Sequence, residues 1–265
     1  GIRRGLAHSV NMGMVIDTLF RGNMRRLGSY MEGYGDLTLP LKAPEYGKKK
    51  AMEYFARAGY REMGEDGVLK NERGERLVVE LTFADSSTLM TNVCSILRQE
   101  ALKCGVDLRL DPLTYNVCSR KVFEKRYQAA LWAWPLQTPF PRLYETFASE
   151  LAYDARGNPV GNTNNIFAVA DTELDAALDA ERNAPDGAAL KKALHRAQKR
   201  IHELCVWIPG WREPYTYVAC WRWIRWPESP TRFCSPRIYN PLESHLYWVD
   251  EKMKKETQEA RRRGV

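Results

Sequence analysis

The side chains here that could do chemistry are aromatic and amide groups gathered where connections are expected: Trp132, Trp134, Tyr144, Asn162, Asn164, Asn165, Trp207, Trp211, Tyr215 and Tyr217. Flat apolar walls carrying a few oriented amide donors and acceptors suit the grip of a flexible polar ligand, such as a peptide or a sugar. A strand tryptophan can equally be core, so for any one of them both readings stay open. Bond-breaking chemistry finds no comparable set. The chain has no G-x-S-x-G, no H-E-x-x-H, no phosphate-binding loop and no dinucleotide glycine fingerprint. Its four histidines (8, 195, 202, 245) are scattered. His195 and His202 fall on one side of a helix, but no third ligand stands near them in sequence. Beside the tryptophan loop the acids are Glu145 and Glu150, with no nucleophile–base pair. The expectation is a binding protein, not an enzyme, with no cofactor and no metal.

Those side chains need a frame, and residues 77–134 supply one. Leu77–Phe83 is short, apolar and β-branched-rich, and the polar Ala84-Asp85-Ser86-Ser87 ends it. Leu89, Val93, Ile96, Leu97 and Leu102 then recur at helical spacing until Cys104-Gly105 stops the helix. Val106–Leu110 alternates as a strand, 116–125 can form a shorter helix, and Gln128–Trp134 has the length of a third strand. Two successive strand–helix–strand units imply an α/β fold with a mostly parallel sheet flanked by helices. Ligands sit beyond the carboxyl ends of such strands. The third strand delivers Trp132, Trp134 and Gln137 there, on a loop stiffened by Pro135, Pro139 and Pro141.

The remaining segments are read around this unit. Residues 2–20 carry one helical period, 25–44 form a long ordered loop, and 48–58 are an amphipathic helix. Turn signals at 65–68 and 71–74 bracket a small hairpin. Residues 142–151 can be helical, Asp171 caps a helix through Arg182, and Asp186 caps a longer one through about Leu204. Val206–Cys220 reads as extended, broken by prolines. From Trp221 the chain turns rich in tryptophan and proline, and 250–263 is a charged helix without an apolar face.

At 265 residues the chain has length enough for one large domain or two modest ones. No run of about 18 apolar residues is present. The net charge of +7 and pI near 9.1 arise largely from short runs such as Lys48-Lys49-Lys50 and Arg261-Arg262-Arg263. A solvated face explains these runs; a nucleic-acid surface using them with exposed tryptophans is the alternative. The six cysteines show no C-x-x-C, which leaves either a disulfide or buried free thiols. Gly1 to Leu6 lacks the pattern of a signal peptide, and the expectation is a fragment or a processed product.

In order along the chain, several short motifs resemble the family 5 extracellular solute-binding proteins, the peptide-, nickel- and glycoside-binding subunits of ABC importers. They are Arg3-x-Gly5-Leu6-x-x-Ser9-Val10-Asn11, Lys50-Ala51-x-x-Tyr54-Phe55-x-x-Ala58-Gly59-Tyr60, Asp66-Gly67-Val68 and Gly74-Glu75-Arg76-Leu77. Leu97-x-x-x-Ala101-x-x-x-Gly105-Val106-x-Leu108 continues the series, as do Tyr127-Gln128-x-Ala130-Leu131-x-x-Trp134, Asn164-Asn165 and Leu174-Asp175-x-x-Leu178. Arg26-Leu27-Gly28-Ser29-Tyr30 resembles the subgroup that binds microcin C and murein-type peptides.

The resemblance implies a periplasmic-binding-protein-like lobe and a place in the periplasm or cell envelope. Residues 1–220 would be the second, carboxyl lobe, and 221–265 the segment returning to a first lobe missing here, with the terminal helix. The implied partners are a peptide or peptide-like solute, a membrane ABC permease and that first lobe, with no nucleic acid. Ligand contacts are expected at Trp132, Trp134, Gln137, Asn164, Asn165 and Tyr30. Peptide-binding members of the family hold the ligand's amino group with an aspartate three residues after the tryptophan matching Trp134. Here that position is Gln137, which can hydrogen-bond an ammonium without neutralising it.

Overall fold

Asn11 divides what its sequence presents as one helix. The computed structural model describes residues 1–133, 143–214, 219–225 and 247–263, and it opens with α1 (Ile2–Ser9) and α2 (Met12–Phe20). Between them Val10 is extended, and the Asn11 side chain accepts a hydrogen bond from Met14 N at 3.1 Å. The apolar period runs unbroken across the junction because Val10 and Met12 are both buried, so hydropathy hides the break. An asparagine that caps the second helix makes it.

The chain forms two compact units, the first comprising Gly1–Ala133 and Arg142–Arg212. After α2 comes the two-residue strand β1 (Arg25–Arg26), then α3 (Lys48–Arg57) and the hairpin β2 (Tyr60–Met63)–β3 (Leu69–Asn71). α1 lies close on α3: a β-carbon at Gly5 would run into the Phe55 ring. The parallel unit follows as β4 (Val78–Ala84), α4 (Thr88–Lys103), β5 (Asp107–Leu113), α5 (Tyr115–Phe123) and β6 (Ala129–Leu131). Strand order is β5-β4-β6, with β4 parallel to both neighbours. This is the sheet expected from residues 77–134, and its carboxyl ends at Ala84, Leu113 and Leu131 share one edge. Gln128 stands outside β6 because its side-chain oxygen accepts from Glu80 N at 2.7 Å, doing the work of a ladder bond.

Val93, Cys94, Leu97 and Ala101 of α4 are buried in one core with Val79, Leu81 and Phe83 of the sheet and Phe55 of α3. A second core belongs to α6 (Leu143–Phe147), α7 (Thr172–Arg182) and α8 (Gly187–Leu204), where Phe147, Leu174, Leu178 and Leu194 are fully enclosed. The helix expected over 142–151 gives way after Phe147 to a 3-10 turn, Ser149–Leu151. There Asp175 Oδ1 draws Ser149 N out of the helical pattern, at 2.9 Å. Asp171 and Asp186 cap α7 and α8 as expected. β7 (Trp211–Arg212) pairs antiparallel with β1.

The second unit comprises Trp134–Pro141 and Glu213–Val265. Its described part holds β8 (Ile224–Arg225) antiparallel to β9 (Trp248–Val249), and α9 (Glu251–Arg262) capped by Asp250. Trp221 and Trp223 stack at 4.6 Å, and Arg261 lies over Trp221. Of the cysteines, 94, 104, 118, 205 and 220 are free, and the first three are buried. Among the described residues no helix is long and apolar enough to cross a membrane.

Candidate functional site

Trp132 leaves the end of β6 at the carboxyl edge of the sheet. Its ring stacks on Tyr115, with centroids 6.3 Å apart, and meets Phe123 edge-on at 6.1 Å. These two rings open and close α5, so the helix presents both of its ends to one indole. A brace holds α5 in place. Lys121 Nζ reaches Glu80 Oε1 at 2.6 Å and Asp111 Oδ2 at 2.7 Å, and Thr82 donates to the same Asp111 oxygen. The ammonium and the Thr82 hydroxyl hold the Asp111 carboxyl below its usual range.

The asparagine loop begins at the same place. Phe123 O accepts from Asn162 N at 3.0 Å. Lys125, in the left-handed region at φ 58°, carries its Nζ to Val160 O and Thr163 Oγ1. Burial lowers its pKa. Asn164 is half-buried, and its carbonyl accepts from Ile166 N. Asn165 is fully buried. Its amide donates to Ala148 O at 2.9 Å and Val169 O at 3.1 Å, and accepts from Val169 N at 3.2 Å. An amide spent in this way fixes the loop around it.

Tyr30 stands at the far end of that loop. It meets Phe147, Phe167 and Trp207 edge-on at 4.9, 5.9 and 5.4 Å. Burial pushes its hydroxyl pKa well up, with Thr146 its polar neighbour, so it stays protonated. The backbone entering Tyr30 is tightly placed, for a β-carbon at Gly28 would collide with the Leu41 carbonyl oxygen. Loop 162–167 thus runs from the Trp132 group to the Tyr30 group. Trp134 and Gln137 lie outside the described residues. Tyr115, Phe123 and Phe167 escape notice in the sequence because a ring at a helix end or in a loop looks like any core aromatic.

A family model for bacterial extracellular solute-binding proteins, family 5, middle region, matches residues 1–150. The chain belongs to this family. Solved structures agree in fold. AppA of Bacillus subtilis, solved with a nonapeptide, superposes with a TM-score of 0.71 at 16% identity, over 94% of this chain and 47% of its own. NikZ of Campylobacter jejuni, solved with Ni(L-His), gives 0.67 at 21%, over 79% and 41%. An oligopeptide-binding protein of Thermus thermophilus, solved with a pentapeptide, gives 0.67 at 18%, over 80% and 37%. The chain therefore spans less than half the length of each. No curated protein sequence matches it.

The fold of this family 5 chain is a periplasmic-binding-protein-like lobe, and family members are exported solute-binding proteins rather than enzymes. Nothing in these likenesses separates the microcin C and murein-peptide subgroup from the rest. Nothing in them favours the nucleic-acid alternative.

Proposed function

We propose that this chain is one ligand-binding lobe of an ABC importer's solute receptor, capturing a peptide or peptide-like solute for delivery to a membrane permease. The cleft would be closed by a first lobe of the same protein, in the periplasm or cell envelope. The observation that carries this reading is the family match over residues 1–150, which contains the parallel unit and Trp132. At that edge the Trp132–Tyr115–Phe123 rings offer an apolar wall, and the Asn162–Asn164 loop supplies polar groups beside it. Trp134 and Gln137 are further contacts proposed from the sequence, and Tyr30 and Asn165 set the far end of the asparagine loop. No turnover is part of this role.

The test is equilibrium binding of a tri- to pentapeptide pool to the two-lobed protein and to its Trp134→Ala variant. Saturable binding with little salt dependence, weakened roughly tenfold or more by the substitution at unchanged melting temperature, is the expected result. Failure of peptides to bind, together with oligonucleotide binding that falls steeply with salt, would overturn the proposal.

A further inference from the structure

α5 closes on a lysine where the backbone favours glycine. After the C-cap Glu124, Lys125 N donates to Val122 O and Arg126 N to Lys121 O, both at 3.0 Å. This pair of bonds ends a helix through a left-handed residue, a place that glycine fills without strain. Lys125 occupies it at φ 58°. A residue with a side chain persists there when its surroundings over-determine it, and Lys125 is held at its far end. Its Nζ donates to Val160 O and, at 2.9 Å, to Thr163 Oγ1. Thr163 Oγ1 donates onward to Leu151 O at 2.5 Å. The lysine thus joins the end of α5 to the asparagine loop and, through that loop, to the 3-10 turn Ser149–Leu151.

Lys121, one turn earlier, has a different set of partners. It binds Glu80 and Asp111 and so fastens α5 to the sheet. Lys125 donates only to neutral oxygens, and burial rather than a neighbouring charge lowers its pKa. One lysine therefore fixes the helix to the sheet, and the other fixes the loop to the helix. Two more bonds run the same way. Asn162 N donates to Phe123 O at 3.0 Å, and Tyr127 Oη donates to Ile166 O at 2.5 Å. Phe123 is also a ring that Trp132 meets edge-on. Thr163, which Lys125 holds by its hydroxyl, stands between the exposed Asn162 and the half-buried Asn164. The ammonium grips the loop between the two asparagines that Asn165 leaves free of the core.

We propose that Lys125 is a positioning residue for solute binding, which holds the asparagine loop at a fixed spacing from the Trp132 wall. The inference rests on the solute-receptor reading and deepens it: the polar side of the site is set by a side chain that need not touch the solute. A loop tied in advance leaves little ordering to be done when the solute binds. The fold alone needs only a left-handed residue at 125, so the part that glycine would not replace is the ammonium.

Amide hydrogen exchange and binding of the tri- to pentapeptide pool are measured on the two-lobed protein and on its Lys125→Gly and Lys125→Arg variants. Glycine keeps the left-handed turn and removes the ammonium, whereas arginine keeps a cationic donor of similar reach. In Lys125→Gly, residues 160–166 should lose about tenfold in exchange protection, while Val78–Ala84 and Asp107–Leu113 keep theirs. The same variant should bind the pool about tenfold more weakly, with a melting temperature within about 2 °C of wild type. Lys125→Arg should recover loop protection and affinity together. Unchanged loop exchange in Lys125→Gly overturns the proposal. Faster loop exchange with unchanged affinity, in a protein whose binding Trp132→Ala weakens, overturns it too and leaves the receptor reading standing. Faster exchange across the sheet with a fall in melting temperature makes Lys125 structural and likewise overturns it. A wild-type protein that binds none of the peptides overturns the receptor reading itself, and the proposal with it.

Discussion

Ser29 Oγ donates to Gln198 Oε1 at 2.8 Å, across 169 residues of chain and out of reach of solvent. The same oxygen accepts from Leu39 N at 2.9 Å, and the amide nitrogen of Gln198 donates to Leu37 O and Leu194 O. One glutamine of α8 therefore pins both ends of the 29–39 loop, which contains Tyr30. Gln198→Leu leaves a buried hydroxyl, an N–H and a carbonyl without partners. The expected loss is roughly 2–4 kcal/mol in denaturant unfolding, against about 1 kcal/mol for Ser29→Ala. Equal and small effects of both would show that the loop is held by its aromatic packing instead.

Arg200 closes a second long-range contact. Its Nε and Nη2 meet the two oxygens of Asp171 at 2.9 and 2.7 Å, while Asp171 Oδ1 also caps α7 through Leu174 N. Arg200 above all, and then the Leu174 N–H, hold the Asp171 carboxyl below its usual pKa. A carboxyl depressed in the folded chain stabilises above its unfolded value, and that contribution is lost as pH falls through the folded value. Asp171→Ala should cost about 1–2 kcal/mol at pH 7 through the lost cap alone. The difference from wild type should shrink in unfolding measured toward pH 3. A difference constant with pH would assign the effect to packing.

What the sequence makes legible follows from range. Asp171 and Asp186 cap their helices with their own side chains, each three residues from the amide it satisfies, so local chemistry announces them. The parallel unit is legible because helix-length crossovers between apolar strands admit few other arrangements. The pairing of Arg26 with Trp211 is not legible. Its ladder is two residues long and its partner strand lies near the other end of the first unit, so no periodicity marks it. Asn165 shows a different limit. Amide density points to the right loop, yet a sequence does not say whether an amide faces a ligand or its own backbone, and this one meets Ala148 and Val169.

Glu181 should make the lobe less stable as pH rises. Burial lifts its pKa to about 7, outweighing the N–H of Leu143 that its Oε1 accepts at 3.2 Å, and Oε2 has no partner. A carboxyl raised in the folded state binds its proton more tightly there than when unfolded. Its favourable contribution is complete below the ordinary glutamate range and is lost as pH climbs through about 7. Glu181→Gln should therefore be more stable than wild type at pH 8, by roughly 1–3 kcal/mol, and equal to it near pH 4. Parallel stability curves from pH 4 to 8 would contradict the assignment.

Trp132 is expected to trade its packing for binding. It is half-buried, and its contacts are asymmetric. Tyr115, on which it stacks, is 61% exposed, whereas Phe123 is tied to the asparagine loop through its carbonyl. A ring held on one edge by the fold and open on the other suits a ligand wall, since little ordering remains to be done on binding. Trp132→Ala in the two-lobed protein should weaken peptide binding about tenfold with a small change in melting temperature. Tyr115→Ala should weaken it less and leave stability unchanged. Phe123→Ala should do the reverse, lowering stability first, because it removes the ring against which Trp132 is set. If Trp132→Ala unfolds the lobe while Phe123→Ala only weakens binding, the roles are exchanged and the wall lies on the α5 side of the indole.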